Sequence, residues 1–412
     1  MFASLRVRNY RIYALGGLVS NVGTWLQATA QTWLVLELGG SGADIGLVLA
    51  LQMAPTLLLS AWAGVLADRF AKRPLLAWLQ VAMALPATVL GALAIAGDVS
   101  LDHVFVLATA FGVARALEAP ARQSFVAEIV GPGHLNNAVA LNSASFNAGR
   151  LVGPAAAGLT VATLGSGVSA TGVVIVANGL SFGFPLLGLV MMDGGRLRPA
   201  PVTADRRRAI RHAVRYVRTR PDLLLIFACA FFLGCFGMNF QITSALMATE
   251  EFGRGAGDFG LLGSLLALGS LAGTLLAARR PAPRLRVLVA ALAVFSTMQV
   301  ITAAMPTFVT YAALLPLVGA ALFTAATTAN ALVQITTAPS MRGRVASLYI
   351  MVFLGSVPLG APLMGVVAEL GGARLALTIS GGVVGFGSLA ASAWFARTRR
   401  RGVARGHGPA HG

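Results

Sequence analysis

The chain has 412 residues, 57% of them hydrophobic and only 11% charged, with a mean hydropathy of +0.78. A soluble surface needs about 25% charged residues, so an ordinary soluble protein is excluded and a membrane protein is indicated. The net charge of +17 does not argue for nucleic acid, because the bases, all Arg except Lys72, cluster between apolar runs instead of tracking one face.

A helix crosses the hydrocarbon core with about 20 residues. The first apolar run, 12–37, meets that length and lacks a small-residue cleavage site, so it reads as a span and not as a signal peptide. It carries three amides, Asn21, Gln27 and Gln31, and has Glu37 at its far end. The runs 45–67 and 74–96 follow, and the turn between them lies in GVLADRFAKRPLL (64–76). There Gly64, Asp68, Arg69, Lys72 and Arg73 interrupt a chain that is otherwise nearly all hydrocarbon.

The fourth run, 103–124, contains Arg115 and Glu118, whose three-residue spacing places them on one helical face. The fifth, 138–163, holds Asn142, Asn147 and Arg150, and within it the string GRLVGPAAAG sets Gly149, Gly153, Pro154 and Gly158 on a small-residue pattern. Small residues four apart let helices approach closely, and Pro154 bends the helix at that contact. Charges inside a membrane are costly and face the bundle interior or an aqueous cavity. Two readings of Arg115, Glu118 and Arg150 stay open: a structural ion pair joining the fourth and fifth spans, or a part in proton coupling or anion binding.

The run 168–192 closes a first set of six, and a basic stretch over 193–222 follows, which reads as a juxtamembrane loop without a ligand. The second set is 223–248, 258–278, 285–305, 307–334, 344–368 and 373–396. Gln241 lies in the first of these, as do Cys229 and Cys235, whose six-residue spacing puts them on different helical faces and suits neither a disulfide nor a metal. The five His residues show no ligand spacing, and neither a cofactor motif nor a clustered catalytic set appears, so an enzyme is not expected. The tail 397–412, RTRRRGVARGHGPAHG, reads as disordered.

Backbone in lipid must satisfy its own hydrogen bonds, which makes these twelve runs helices. Bases concentrate in alternate connections (6–11, 68–73, 121–123, 196–220, 279–286, 341–344 and 396–401), while the opposite set carries only Arg254 and Arg374. That bias puts both termini and the central loop in the cytoplasm. The halves repeat: GTWLQ at 23–27 matches GMNFQ at 237–241, and Gly112, Pro132, Phe146, Gly153 and Gly158 match Gly319, Pro339, Phe353, Gly360 and Gly365 in constant register. Six spans per copy give two parallel halves. The expected organisation is an all-α integral membrane protein with six-helix bundles at 1–192 and 223–396.

Twelve spans, a parallel repeat, a basic central loop and GVLADRFAKR at 64–73 resemble the Major Facilitator Superfamily, whose loop motif is matched by Gly64, Leu66, Ala67, Asp68, Arg69 and Arg73. Lys72 is conservative there and Ala71 replaces a glycine. The fifth-span string is similar to the signature of the superfamily's exporters. EAPARQ at 118–123 with that string resembles the branch of enterobactin and macrolide exporters.

The resemblance implies a twelve-helix fold and a monomer in the cell membrane exporting an amphiphilic small molecule, such as a drug or siderophore, by alternating access with protons as the partner ion. It also implies a gate in which Asp68 meets the N-terminus of span eleven near Ser340–Ala346 when the cytoplasmic side is closed. Arg69, Lys72 and Arg73 join that gate or anchor the loop at headgroups. Asn21, Gln27, Gln31, Asn142, Asn147 and Gln241 are expected to line a central cavity, the alternative being hydrogen bonds between helices. The superfamily's drug exporters often carry an acid in span one, where this chain has amides, so proton antiport is implied by family alone. An importer or facilitator, and a non-transporting membrane sensor, are the competing readings.

Overall fold

Every long apolar run becomes a helix, as the lack of backbone partners in hydrocarbon requires. The computed structural model describes residues 3–197, 206–280 and 282–406, and no strand forms among them. In chain order the helices are α1 (Arg8–Glu37), α2 (Gly42–Arg69), α3 (Lys72–Ala96), α4 (Leu101–Val130), α5 (Leu135–Thr163), α6 (Val168–Ser181), α7 (Gly183–Met191), α8 (Arg206–Arg218), α9 (Pro221–Phe232), α10 (Phe240–Leu246), α11 (Ala256–Ala278), α12 (Leu285–Ala303), α13 (Phe308–Thr336), α14 (Arg342–Gly355) and α15 (Val357–Gly406). Nine segments among the described residues are long and apolar enough to cross a membrane. One of them, Arg342–Thr398, runs for 57 residues and holds two crossings, turning at Gly372 (φ 80°, ψ 166°), a conformation a side chain would resist. The polar helices α1 and α5 are not among the nine, yet at 30 and 29 residues each is about 45 Å long. With these three the count reaches the expected twelve.

Turn chemistry sets the helix ends. Ser41 and Asp44 form a reciprocal capping box at the start of α2, and Thr307 with Thr310 does the same for α13. Gly97 ends α3 in the left-handed region (φ 83°).

Two compact units emerge. The first comprises Met1–Ala204, Gln241–Ala267 and Ala361–Ala373. Its main packing sets α1 on α5, α2 on α4 and α3 on α6. Gly149 and Gly153 make the first of these possible: a Cβ on Gly149 would stand 2.8 Å from the Asn21 carbonyl, and one on Gly153 would stand 2.6 Å from Cβ of Trp25. A buried cluster of Tyr10, Tyr13, Leu76, Phe125, Ile129 and Leu189 fills one end of this unit, with Tyr13 edge-on to Phe125 at 5.8 Å.

The second unit comprises Asp205–Phe240, Leu268–Gly360 and Arg374–Gly412. Tyr349 is buried beside Phe227 and donates to the Ala326 carbonyl at 3.2 Å, tying α14 to α9 and α13. Arg374 donates to the carbonyls of Ala303 and Met305 at 2.8 and 2.9 Å and so closes the C-terminal end of α12. Cys229 and Cys235 are free thiols, both buried.

Three boundaries differ from the sequence reading. The basic stretch 193–222, read as a loop, contains α8, which buries Ala213 and Val217 against α9 and α14 and leaves Arg211, His212, Arg215 and Arg218 exposed. The segment 121–123 with its single base Arg122, counted as a connection, lies within α4, which continues to Val130 because nothing stops it before Gly131 and Pro132. The tail from 397, read as disordered, continues α15 to Gly406, since extending a formed helix costs little. The remainder of that tail, 407–412, lies outside the described residues.

Candidate functional site in the first unit

The site is a cavity of about 530 Å³ formed entirely by the first unit, within the range that holds a drug-sized ligand. Its walls come from α1, α3, α4, α5 and the junction of α6 with α7. Part of its lining is apolar and aromatic, with Tyr13, Met83, Phe111, Phe146 and Phe182. Charged side chains stand among them. Arg115, Glu118 and Arg122 all face the cavity from α4, as spacings of three and four residues on one helix require.

The acid pairs with the base that follows it. Glu118 is buried, and its Oε1 stands 3.3 Å from Nε of Arg122 one helical turn away. Arg115 is half-buried and makes no hydrogen bond or ion pair among the described residues, and the ion pair of Glu118 with Arg122 lies within α4 instead of joining the fourth and fifth spans. Glu118 is the sole acid lining the cavity, against Arg11 at its mouth, Arg115 and Arg122.

Gln80 adds a polar point on α3: its side chain is 7% exposed, and its amide oxygen finds no hydrogen-bond partner among the described residues. Asn21 and Asn142 line the cavity as expected, and Asn21 donates to Ser145 Oγ at 2.8 Å. Arg150 does not line it. Its guanidinium lies over the Trp25 ring, 5.6 Å from the centroid, a cation–π contact that clamps α5 to α1.

The other amides go elsewhere. Gln27 and Gln31 are buried between helices: Gln27 donates to Gln31 at 3.3 Å and accepts from Asn178 of α6, while Gln31 accepts from Gln52 of α2 at 3.0 Å. These two therefore act as interhelical hydrogen-bonding groups, the alternative the sequence left open, because a buried amide in lipid must find partners. Asn147 donates back to the Ser143 carbonyl of its own helix at 2.9 Å, and Gln241 is half-buried on α10. Neither lines the cavity.

The charged loop between α2 and α3 splits by residue. Lys72 pairs with Glu128 of α4 at 2.6 Å, both largely buried, and Arg73 donates to the carbonyls of Leu189 and Val190 at 2.7 and 2.9 Å, where α7 ends. These two bases brace α3 against α4 and α7 within one unit instead of reaching for headgroups. Gly64 is buried on α2, Asp68 is half-buried in its last turn, and Arg69 is exposed. Asp68 makes no hydrogen bond or ion pair among the described residues of its own unit.

Residues 241–267 and 361–373 come from the second half of the chain yet complete this unit. Gly158 of α5 abuts Ala256 and Gly260 of α11, and Gly46 of α2 abuts Ala361. Ser264 of α11 completes the contact: it donates to the Leu151 carbonyl at 2.7 Å and accepts from the Ala155 N–H at 3.1 Å, two groups one helical turn apart on either side of Pro154. The signature helix is thus tied to α11 by a hydroxyl at the turn that holds Pro154.

Sequence reasoning missed Arg122, Glu128, Gln80 and Ser264. Arg122 was legible in principle, since it lies seven residues beyond Arg115 on the same face. Ser264 carried no signal, because nothing local marks which serine will meet a helix from the other repeat.

Across residues 1–400 the chain matches the family described as transmembrane secretion effector. It is 24% identical over 255 residues to the staphyloferrin A transporter of Staphylococcus aureus, an alignment that covers 62% of this chain and 63% of that protein. It is 30% identical over 153 residues to the multidrug efflux pump Tap of Mycolicibacterium fortuitum, covering 36% of this chain and 37% of Tap. The matched part thus spans less than two thirds of either relative. Among solved structures, a bacterial homolog of the human lysosomal transporter Spinster, inward-facing and unoccupied, aligns with a TM-score of 0.75 at 13% identity over 95% of this chain and 98% of that one. A D-xylose-proton symporter aligns with a TM-score of 0.72 at 13% identity over 93% and 96%. At such identities the likeness shows the fold alone.

Proposed function

The chain belongs to the transmembrane secretion effector family of the Major Facilitator Superfamily, and we propose that it is a secondary active exporter of an amphiphilic small molecule. It is a multi-pass membrane transporter and not an enzyme. The observation that carries the proposal is the 530 Å³ cavity, lined by helices of one repeat with aromatic and charged side chains together. An amphiphile is what such a mixed lining can hold, since its apolar body and its polar group each meet surface of their own kind. Export over import is supported by the helix α5, whose Gly158 and Pro154 meet α11 as a small-residue contact.

In this reading the protein works in the cell membrane with both termini cytoplasmic, and the halves, 1–192 and 223–396, alternate access to the cavity. Asp68 with Gly64 forms the cytoplasmic gate, braced from behind by Lys72 on Glu128 and by Arg73 on the end of α7. Protons supply the drive through Glu118.

The test loads host cells stripped of their own efflux pumps with macrolides, dyes and siderophores. Retention is compared for wild type, Asp68→Asn and empty vector, with and without an uncoupler. Lower retention with wild type alone, reversed by the uncoupler, is expected. Equal retention in wild type and vector across the panel would overturn export. Full activity of Asp68→Asn would remove the gate.

A further inference from the structure

The cavity's charge is unbalanced, and that imbalance points to its ligand. Three arginines, Arg11, Arg115 and Arg122, line it against the single carboxylate of Glu118. That carboxylate is already engaged by Arg122 at 3.3 Å. Arg115 makes no hydrogen bond or ion pair among the described residues, although it sits halfway along a helix that crosses the membrane. A guanidinium held away from bulk water presents a fork of donors and is stabilised by an oxyanion more than by any neutral group. A cation placed there would meet a net repulsive field in low dielectric.

The rest of the lining refines the class. Tyr13, Met83, Phe111, Phe146 and Phe182 line the same cavity, Phe111 one helical turn from Arg115 on α4, and they accept an apolar or aromatic body beside the charge.

We propose that this cavity selects amphiphilic organic anions, taking a carboxylate or comparable oxyanion on Arg115, and that it discriminates against cationic amphiphiles. The inference rests on the transport reading for the use of the cavity, but not for its charge preference, which is a property of binding. Glu118 keeps Arg122 partly neutralised, so Arg115 is the selecting charge and Arg122 the supporting one.

The experiment measures binding to the full-length protein in lipid nanodiscs, using two dyes of one xanthene scaffold and opposite charge: carboxyfluorescein and a cationic rhodamine. Wild type is expected to bind carboxyfluorescein at least tenfold more tightly than the rhodamine. Arg115→Gln should weaken carboxyfluorescein about tenfold and leave the rhodamine unchanged or tighter, and Arg115→Lys should restore part of the preference.

Equal binding of both dyes by wild type, a preference for the rhodamine, or no binding of carboxyfluorescein would overturn the proposal, and none of these needs a variant to fold. A loss of both dyes together in Arg115→Gln, with native thermal unfolding, would also overturn it. The outcomes separate from those of the export reading. Charge-selective binding without export in cells would leave the inference standing and remove export, whereas uncoupler-sensitive efflux of cations by a site without anion preference would do the reverse.

Discussion

Glu118 and its neighbours show how one helix face divides its work. Arg122 holds the carboxylate at 3.3 Å, and both groups face the cavity. A group whose neutral and charged forms differ in the contacts they make is suited to couple protonation to a change of state. Glu118→Gln keeps the size and most hydrogen bonding while removing the charge change. Transport by that variant is expected to lose its dependence on an imposed pH gradient, measured in proteoliposomes, while the protein remains folded and inserted. Gradient dependence unchanged from wild type would leave Glu118 as a structural partner of Arg122. The sequence shows that Arg115, Glu118 and Arg150 are unusual, because a charge inside an apolar run is visible in any single chain. It does not show which of them share a cavity. Arg150 lies one helix turn from the cavity residue Phe146, yet its guanidinium turns onto Trp25. The same limit applies to Gln27 and Asn21, six residues apart on α1 and sent to different places by helices that local spacing does not reveal.

The helix α5 carries the next level of organisation. Gly149 and Gly153 let it lie against α1, and beyond Pro154 it turns to α11, where Gly158 and the Ser264 hydroxyl meet it. Interhelical hydrogen bonds in membranes contribute about 0.6 kcal/mol on average and at most about 1.7. Ser264→Ala, which removes both the donor to Leu151 and the acceptor for Ala155, should therefore cost about 1 kcal/mol at this contact. The expected result is a modest drop in thermal stability, together with a several-fold rise in labelling of a cysteine introduced at the start of α11. Gly158→Leu in the same assay should exceed it, because its side chain has no space against Ala256. Labelling and stability both unchanged in Ser264→Ala would mean that the hydroxyl is incidental to the contact. Apolar length and small-residue spacing made the helices and this motif legible. The helix ends were less so, because the base at 121–123 mimics a loop while no residue between Pro120 and Gly131 stops α4. In α8 the signal was present as Ile210, Ala213, Val214 and Val217, spaced for one helical face, but the arginines between them dominate the composition.

At the scale of the whole molecule, the sign of the cargo decides how the membrane field acts on it. Cells hold their interior negative, and moving one elementary charge across 100 mV is worth about 2.3 kcal/mol. An anion leaving the cytoplasm moves down that field, and a proton entering moves down it as well, so exchange of the two is driven twice by the same potential. A cationic cargo would instead move against the field and depend more heavily on the proton gradient. The three arginines of the cavity, set against one engaged carboxylate, therefore bear on energetics as well as on selection. The prediction is made for proteoliposomes in which potassium and valinomycin set the potential without a pH difference. Movement of carboxyfluorescein toward the positive side should reach an equilibrium ratio about 50-fold higher at 100 mV than at zero for each net charge moved per cycle. Arg115→Gln should lower the rate at which that ratio is approached, because the site fills less often, while leaving the final ratio unchanged. The ratio is set by charge moved per cycle, and a binding residue cannot alter it. A ratio independent of potential would mean that the cycle is electroneutral, with each anion accompanied by a cation travelling in the same direction.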